Sequence, residues 1–105
     1  MRLLVMAERA DCQWCRAWHA EIGPGYPLSD EGRLAPLRRV DLDQPWPAGL
    51  PKPAGLIYTP TFVLLACGRE VGRITGYPGA DFFYPYMARL LDQLQAAERA
   101  AVSCS

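Results

Sequence analysis

The chain has 105 residues, 50% of them apolar and 21% charged, and its eleven Lys and Arg residues balance its eleven Asp and Glu residues. A chain of this length builds one hydrophobic core, so we expect a single domain over residues 1–105, with a frayed tail from about residue 100. The even balance of charge gives no basic surplus for nucleic acid and no charged block for an anionic membrane surface.

The first apolar run, residues 3–7, is too short for a membrane span or for the core of a secretion signal. We therefore expect the chain as it stands to be soluble. A secretion signal removed ahead of Met1 would fit the sequence equally well, so the compartment stays open at this point.

The N-terminal part of the chain predicts a strand and then a helix. Residues 2–7 have few polar interruptions, which is typical of a strand covered on both faces. Asp11 is the predicted N-cap of the helix, and Gly23-Pro24 ends it. The apolar positions of this helix recur at helical spacing and are Cys15, Trp18 and Ile22.

The middle of the chain predicts a parallel strand and a stiff loop. A strand followed by a helix usually leads to a parallel strand through a right-handed crossover, and Leu37 to Asp43 supplies that strand. A helix starting near Ser29 comes before it and is kept short by Pro36. From Pro45 to Pro53, four of nine residues are proline, which excludes a regular helix or a central strand.

The last part of the chain predicts a hairpin and a helix. Residues 62–66 and 70–75 flank the turn sequence Cys67-Gly68-Arg69. Asp81 is the predicted cap of the final helix, whose first residue is left undefined by Pro85. Its apolar stripe consists of Phe83, Met87, Leu90, Leu91 and Leu94. The predicted order is strand, helix, strand, broken helix, two antiparallel strands, helix.

Two cysteines separated by two residues, Cys12-Gln-Trp-Cys15, stand at the start of the first predicted helix. Thiols in this arrangement can close a small disulfide while the first remains accessible to another molecule's sulfur, which is the geometry of thiol-disulfide exchange. The same spacing forms half of a zinc site. Such a site needs two more closely spaced ligands, and the remaining candidates are the widely separated His19, Cys67 and Cys104.

A proline is predicted to lie beside this pair. Cys12 follows the C-terminal end of the first strand, and the strand that begins at Thr61 runs in the opposite direction, so it starts at the same end of the sheet. The carboxyl ends of parallel strands are also where open α/β sheets bind ligands. We therefore expect Pro60 next to Cys12.

These residues together resemble the thioredoxin superfamily over nearly the whole chain. Cys12 and Cys15 match its redox pair, and Thr59-Pro60-Thr61 matches the segment whose proline is cis in that family. Further matches follow in the family's order at Val40-Asp41-Leu42-Asp43, Gly68-Arg69-Glu70-Val71 and Gly76. The resemblance implies an α/β protein with the minimal thioredoxin fold, β-α-β-α-β-β-α, whose four-stranded mixed sheet has helices on both faces.

Longer stretches are similar to the SoxS-type thioredoxins encoded with bacterial sulfur-oxidation genes, namely Cys12 to His19, Glu21 to Pro24 and Gly72 to Gly79. This resemblance implies an exported, periplasmic protein without its signal, with the cytoplasm as the alternative compartment. A loose likeness to the glutathione-contacting loop of glutaredoxins lies in Gly76, Gly79 and Asp81.

Four positions differ from the thioredoxin pattern. Asp11-Cys12-Gln13-Trp14-Cys15 stands where the family has Trp-Cys-Gly-Pro-Cys, and Met6 stands where the family has a buried acid, six residues before the first cysteine.

We assign Cys12 as the nucleophile, since a helix start stabilises a thiolate, although the carboxylate of Asp11 opposes that effect. Cys15, on the apolar face, is the resolving thiol. Trp14 either offers an apolar contact to a substrate or packs as a lid on Trp46.

The segment at Thr59 and Pro60 is predicted to bind an extended substrate as an added strand. His19, a full turn from the exposed sulfur, is interpreted as a surface residue rather than a proton shuttle. Cys67 and Cys104 are predicted to take no part in catalysis.

The predicted function is a thiol-disulfide oxidoreductase that mainly reduces protein disulfides through Cys12 and Cys15. Its expected partners are a disulfide-containing protein and an upstream electron donor protein, with no nucleic acid, membrane, metal or resident cofactor, and the chain is expected to be a monomer. One alternative is a glutathione-linked exchanger, with glutathione as co-substrate. Others are a metal or iron-sulfur binding module and a redox-inert binding domain.

Overall fold

The computed structural model describes residues 2–100 of the chain. Its strands are β1 (Arg2–Glu8), β2 (Leu37–Asp41), β3 (Thr61–Ala66) and β4 (Arg69–Thr75). Its helices are α1 (Gln13–Glu21), α2 (Asp30–Leu34) and α3 (Ala80–Ala100), and a 3-10 turn covers Tyr26–Leu28. Residues 101–105, which hold Cys104 and nearly all of the predicted tail, lie outside this description.

The four strands form one mixed sheet in the order β2-β1-β3-β4. β1 and β2 are parallel, with Leu4 opposite Leu37, whereas β3 is antiparallel to both of its neighbours. The predicted crossover and the predicted hairpin are both confirmed. Because Ala7 pairs with Thr61, the end of β1 and the start of β3 lie at the same edge of the sheet.

The two faces of the sheet are covered by different kinds of structure. On one face, Leu4 and Met6 of β1 pack with residues of α1 and α3, including Trp18 and Phe83. On the other face, four aliphatic side chains, Val5, Val40, Val63 and Leu65, pack against Trp46, Leu50 and Leu56. These last three residues belong to the irregular segment between β2 and β3.

The prediction of helices on both faces is therefore wrong in one respect. Within residues 2–100, no helix lies between β2 and β3, and the short helix α2 comes before β2. The proline-rich segment after β2 cannot supply the missing helix, because proline lacks the N–H that a helix interior needs and clashes with the preceding turn. Instead it places apolar side chains on the sheet as an irregular loop.

Helix α1 begins and ends through local contacts of its own residues. Cys12, not Asp11, is the N-cap, because its sulfur accepts a hydrogen bond from the backbone N–H of Cys15. The helix ends at Glu21, and Gly23 donates to the Trp18 carbonyl. A Cβ at Gly23 would lie 2.6 Å from the His19 carbonyl oxygen, so only glycine fits here.

Two predicted boundaries shift by one or two residues. β2 ends at Asp41 instead of Asp43. α3 begins at Ala80, so Asp81 lies in the first turn and not at the cap. In the first turn its negative charge still interacts favourably with the positive end of the helix dipole. Pro85 lies inside α3, near its start. The predicted Ser29 start of α2 is confirmed, since the Ser29 hydroxyl accepts from the Gly32 N–H.

Candidate active site

Cys12 and Cys15 are joined by a disulfide at the start of α1. Their Cα atoms are 5.2 Å apart, and the N–H of Cys15 donates to the sulfur of Cys12 at 3.1 Å. Cys12 is 8% exposed and Cys15 only 2%. The geometry thus separates an outer sulfur at the helix start from an inner sulfur that belongs to the core.

The start of α1 favours negative charge on Cys12. The first turn of a helix has backbone N–H groups without helical partners, and the helix dipole is positive there. One of these N–H groups already points at the Cys12 sulfur in the disulfide. The first turn of α1 holds no acidic residue, because Asp11 lies outside the helix and is exposed. A thiolate formed at Cys12 would therefore meet a hydrogen-bond donor at once.

The segment that precedes β3 lies at the same edge of the sheet. The bond between Thr59 and Pro60 is cis, and Pro60 is buried. The Pro60 carbonyl accepts from the Gly76 N–H at 2.7 Å, and the Arg9 guanidinium donates to the Ile57 carbonyl at 3.2 Å. Arg9 therefore ties the loop that carries Cys12 to the segment that carries Pro60.

Thr59 keeps its backbone groups available. Within residues 2–100, no backbone hydrogen bond uses the Thr59 N–H or carbonyl, whereas the neighbouring Tyr58 carbonyl accepts from the Thr61 hydroxyl at 2.6 Å. Thr59 therefore presents unpaired main-chain groups of the kind that pair with an added strand.

Large apolar side chains are exposed around this edge of the sheet. Trp14 is 57% exposed, Ile57 66% and Tyr58 68%. Trp14 does not form the lid suggested by the sequence, because Trp46 packs on the opposite face of the sheet and donates its indole N–H to the Leu50 carbonyl. Trp14 and the segment before Pro60 are therefore both open to solvent.

Glu8 was not among the predicted site residues, yet it joins two of the elements around the site. Its carboxylate is almost buried and contacts the His19 ring nitrogen Nε2 at 2.9 Å and the Arg39 Nε at 2.5 Å. His19, interpreted from the sequence as a surface residue, is half-buried with its ring edge-on to Trp18. The position of Glu8 in the sequence could have indicated this role, because alternate residues of a strand face the same side of the sheet and Glu8 follows Leu4 and Met6 on the side covered by α1.

A tyrosine attaches the loop before α3 to the end of α1. The Tyr77 hydroxyl donates to the Glu21 carboxylate at 2.6 Å. Loss of solvation, and then this hydrogen bond, raise the pKa of Tyr77. The loop turns at Gly76 and Gly79, whose φ angles of 84° and 99° lie in the region that favours glycine. These are the residues with the loose likeness to a glutathione-contacting loop.

Cys67 lies far from the cysteine pair along the sheet. It occupies the turn between β3 and β4, with a φ of 56°, whereas Pro60 precedes the opposite end of β3. Among residues 2–100, no group of three or more His, Cys, Asp or Glu side chains is placed to hold a metal ion. Nor does this part of the chain contain a helix both long and apolar enough to cross a membrane.

One solved structure decides the family. The chain is 49% identical to the periplasmic thioredoxin SoxS from Paracoccus pantotrophus in its reduced form, with a TM-score of 0.84 over 90% of this chain and 99% of that one. The chain belongs to the thioredoxin superfamily. Within the superfamily it is similar to the SoxS type, as the sequence indicated. No protein-family model and no curated protein matches the sequence.

Membership of the thioredoxin superfamily and the bonded cysteine pair assign a general chemistry. The chain is a thiol-disulfide oxidoreductase in the broad sense, with a redox-active disulfide between Cys12 and Cys15. The predicted thioredoxin fold is likewise confirmed, with a loop in place of one helix.

Proposed function

We propose that the protein reduces disulfides in other proteins, with Cys12 as nucleophile and Cys15 as resolving thiol. The observation that carries this proposal is the unequal environment of the two sulfurs. Cys12 caps α1 and is the more exposed, whereas Cys15 packs in the apolar cluster. A substrate sulfur reaches the outer cysteine first, so the inner cysteine acts second.

The reaction consists of two successive thiol-disulfide exchanges. The Cys12 thiolate attacks one sulfur of the substrate disulfide, forming a mixed disulfide and releasing one substrate thiolate. Cys15 then loses its proton and attacks the Cys12 sulfur, which releases the second substrate thiolate and forms the Cys12–Cys15 disulfide. The substrate gains two electrons and the protein loses two. An upstream electron donor protein returns them.

The surroundings of the pair favour a protein substrate. The unpaired backbone of Thr59 would accept an extended segment, and the exposed side chains of Trp14, Ile57 and Tyr58 would contact apolar residues on either side of the substrate cysteine. Aromatic side chains at a surface are typical of protein contacts. We therefore infer that Trp14, Thr59 and Pro60 form the substrate-binding surface.

The residues between the cysteines support the reductive direction of the reaction. A strong oxidant needs its reduced thiolate stabilised, for which a cation between the cysteines would serve. Gln13-Trp14 brings none. We propose a reductase that works as a monomer without a resident cofactor. The periplasmic SoxS structure supports the periplasm as its compartment.

A turnover assay on a disulfide-bonded protein substrate tests this function. With a dithiol donor, the wild type is expected to reduce the substrate catalytically, and Cys12→Ser to abolish turnover. Cys15→Ser should stop after one exchange. Turnover by Cys15→Ser at the wild-type rate without glutathione would contradict the role of Cys15. If glutathione alone sustains full turnover, the protein is a glutathione-linked exchanger instead.

A further inference from the structure

The inner cysteine needs a proton acceptor that the two cysteines themselves do not provide. Cys15 is 2% exposed and lies in the apolar cluster, where burial favours a neutral thiol once the disulfide has opened. Only the thiolate attacks a disulfide. A group nearby must therefore take the Cys15 proton during the second exchange. Met6, which belongs to the same cluster, cannot do so because its side chain does not titrate.

His19 is the titratable side chain that the helix places nearest along its own face. Residues four apart on a helix are neighbours, with Cβ atoms about 5–6 Å apart. Helical side chains also lean toward the N-terminus, so the His19 ring lies toward the turn that carries Cys15. The ring is half-buried and packs edge-on to Trp18, which limits its movement.

Glu8 orients this ring from the adjacent strand. Its Oε1 contacts His19 Nε2 at 2.9 Å, and its Oε2 contacts Arg39 Nε at 2.5 Å. When Nε2–H donates to a carboxylate, the other nitrogen of a neutral imidazole, Nδ1, is left as an acceptor. Nδ1 is then the ring nitrogen that can take a proton.

The Glu8 carboxylate also borders solvent. A cleft of about 380 Å³ is lined by Glu8, Arg9, Ala10, Arg39 and Asp41. Two further charged residues lie next to the cysteines in the sequence, namely Asp11, outside the first turn, and Arg16, which donates to the Ala10 carbonyl. A proton held between His19 and Glu8 can therefore be released to solvent through this cleft.

We propose that His19, held by the positioning residue Glu8, accepts the proton of Cys15 as Cys15 attacks the mixed disulfide. This inference rests on the proposed function. The Cys15 S–H bond breaks, its electron pair forms the new S–S bond to Cys12, the substrate sulfur leaves as a thiolate, and the proton moves to the imidazole directly or through one water molecule. It then passes through the Glu8 cleft to solvent.

The two exchanges can be timed separately with 5,5′-dithiobis(2-nitrobenzoate). In a background that carries Cys67→Ser and Cys104→Ser, so that no other thiol reacts, reduced protein mixed with this reagent releases one coloured thiolate when Cys12 attacks and a second when Cys15 resolves the adduct. In stopped-flow at neutral pH, His19→Gln should slow the second release by roughly 10²-fold and leave the first unchanged. Glu8→Gln should also slow the second release, but by a smaller factor than His19→Gln. Glu21→Gln, which removes a carboxylate from the far end of α1, is the matched control and should change neither phase.

Two readouts separate proton transfer from a structural role. The second phase of His19→Gln should recover only as the pH rises above the reference thiol pKa of about 8.5, because burial disfavours the Cys15 thiolate, and added imidazole should accelerate it. The inference is overturned if the second phase of His19→Gln equals that of the wild type, or if both phases slow together and imidazole has no effect. Absence of the first phase in the wild type would overturn the proposed function, and this inference with it.

Discussion

The two faces of the sheet differ in what they contribute. The face covered by α1 and α3 holds Cys15 and a set of aromatic rings, with Trp18 centred 5.3 Å from Phe62 and 5.7 Å from Phe83. The face covered by the proline-rich loop is a smaller aliphatic layer without a cysteine of the pair. The comparison indicates that the chemistry depends on the helix face, whereas the loop face serves to exclude water from the sheet.

The largest effect is expected from removing a ring on the helix face. Phe83→Ala should lower the free energy of unfolding by about 3–5 kcal/mol, because Phe83 is fully buried among aromatic neighbours. Chemical denaturation measures the change. Phe82→Ala, at an exposed position of the same helix, is the control and should stay within about 0.5 kcal/mol of the wild type. Similar losses from both substitutions would contradict the packing described here.

The tryptophans on the two sides of the molecule should have opposite effects. Trp46→Ala, on the loop face, should lower the free energy of unfolding by about 1–2 kcal/mol, through lost burial and the lost bond to the Leu50 carbonyl, and leave the rate of disulfide exchange unchanged. Trp14→Ala should leave stability unchanged and slow the reduction of protein disulfides. Denaturation and turnover assays on both variants test this pair. A loss of activity confined to Trp46→Ala would reverse the assignment of the faces.

A buried tyrosine on the helix face should make stability depend on alkaline pH. The Tyr26 hydroxyl donates to the Ala35 carbonyl at 2.7 Å, and burial is the main cause that raises the pKa of Tyr26. The neutral phenol is favoured in the folded state. The buried phenol of Tyr26 therefore contributes fully to the free energy of unfolding below its unfolded pKa of about 10, and this contribution is lost as the pH rises above that value.

Tyr26→Phe should accordingly cost about 1 kcal/mol at pH 7 and make the alkaline loss of stability shallower. Denaturation curves between pH 7 and 11 measure both effects. Tyr58→Phe, at an exposed position, serves as the control and should leave the curve unchanged. An unaltered alkaline slope in Tyr26→Phe would show that the loss comes from other groups.

The smallest effect is expected at the loop before α3. Tyr77→Phe removes the hydrogen bond to Glu21 and should lower the free energy of unfolding by about 0.5 kcal/mol. Hydrogen exchange should show faster amide exchange near Gly76, with the strands unaffected. Equal acceleration throughout the sheet would indicate that this contact supports the whole fold and not the loop alone.

Local patterns were sufficient to predict the strands and the general position of the site. The apolar run of β1, the hairpin turn around Gly68 and the order of the elements predicted the edge of the sheet at which Cys12 and Pro60 lie. The crossover rule predicted the parallel pairing of β1 with β2. These features depend on short-range spacing and chain direction, which a single sequence contains.

Features that depend on packing were not predictable in the same way. Asp11 has the better N-cap propensity, but the cap is Cys12, whose sulfur accepts the bond from the Cys15 N–H. Glu8 was overlooked because a charged residue at the end of a strand usually faces solvent. Only the contacts with His19 and Arg39 show why it turns inward. The prolines predicted the loop itself, but its place on the second face of the sheet depends on where Trp46 packs.

The most direct test is to identify the cysteine that carries a trapped substrate. Reduced Cys15→Ser protein is mixed with a disulfide-bonded peptide, and the adduct is digested without reductant and located by mass spectrometry. We expect a peptide bound through Cys12, stable for lack of the resolving thiol, and no such adduct in Cys12→Ser. An adduct at another cysteine with none at Cys12, or no adduct at all, would contradict the assignment of the outer sulfur as the nucleophile.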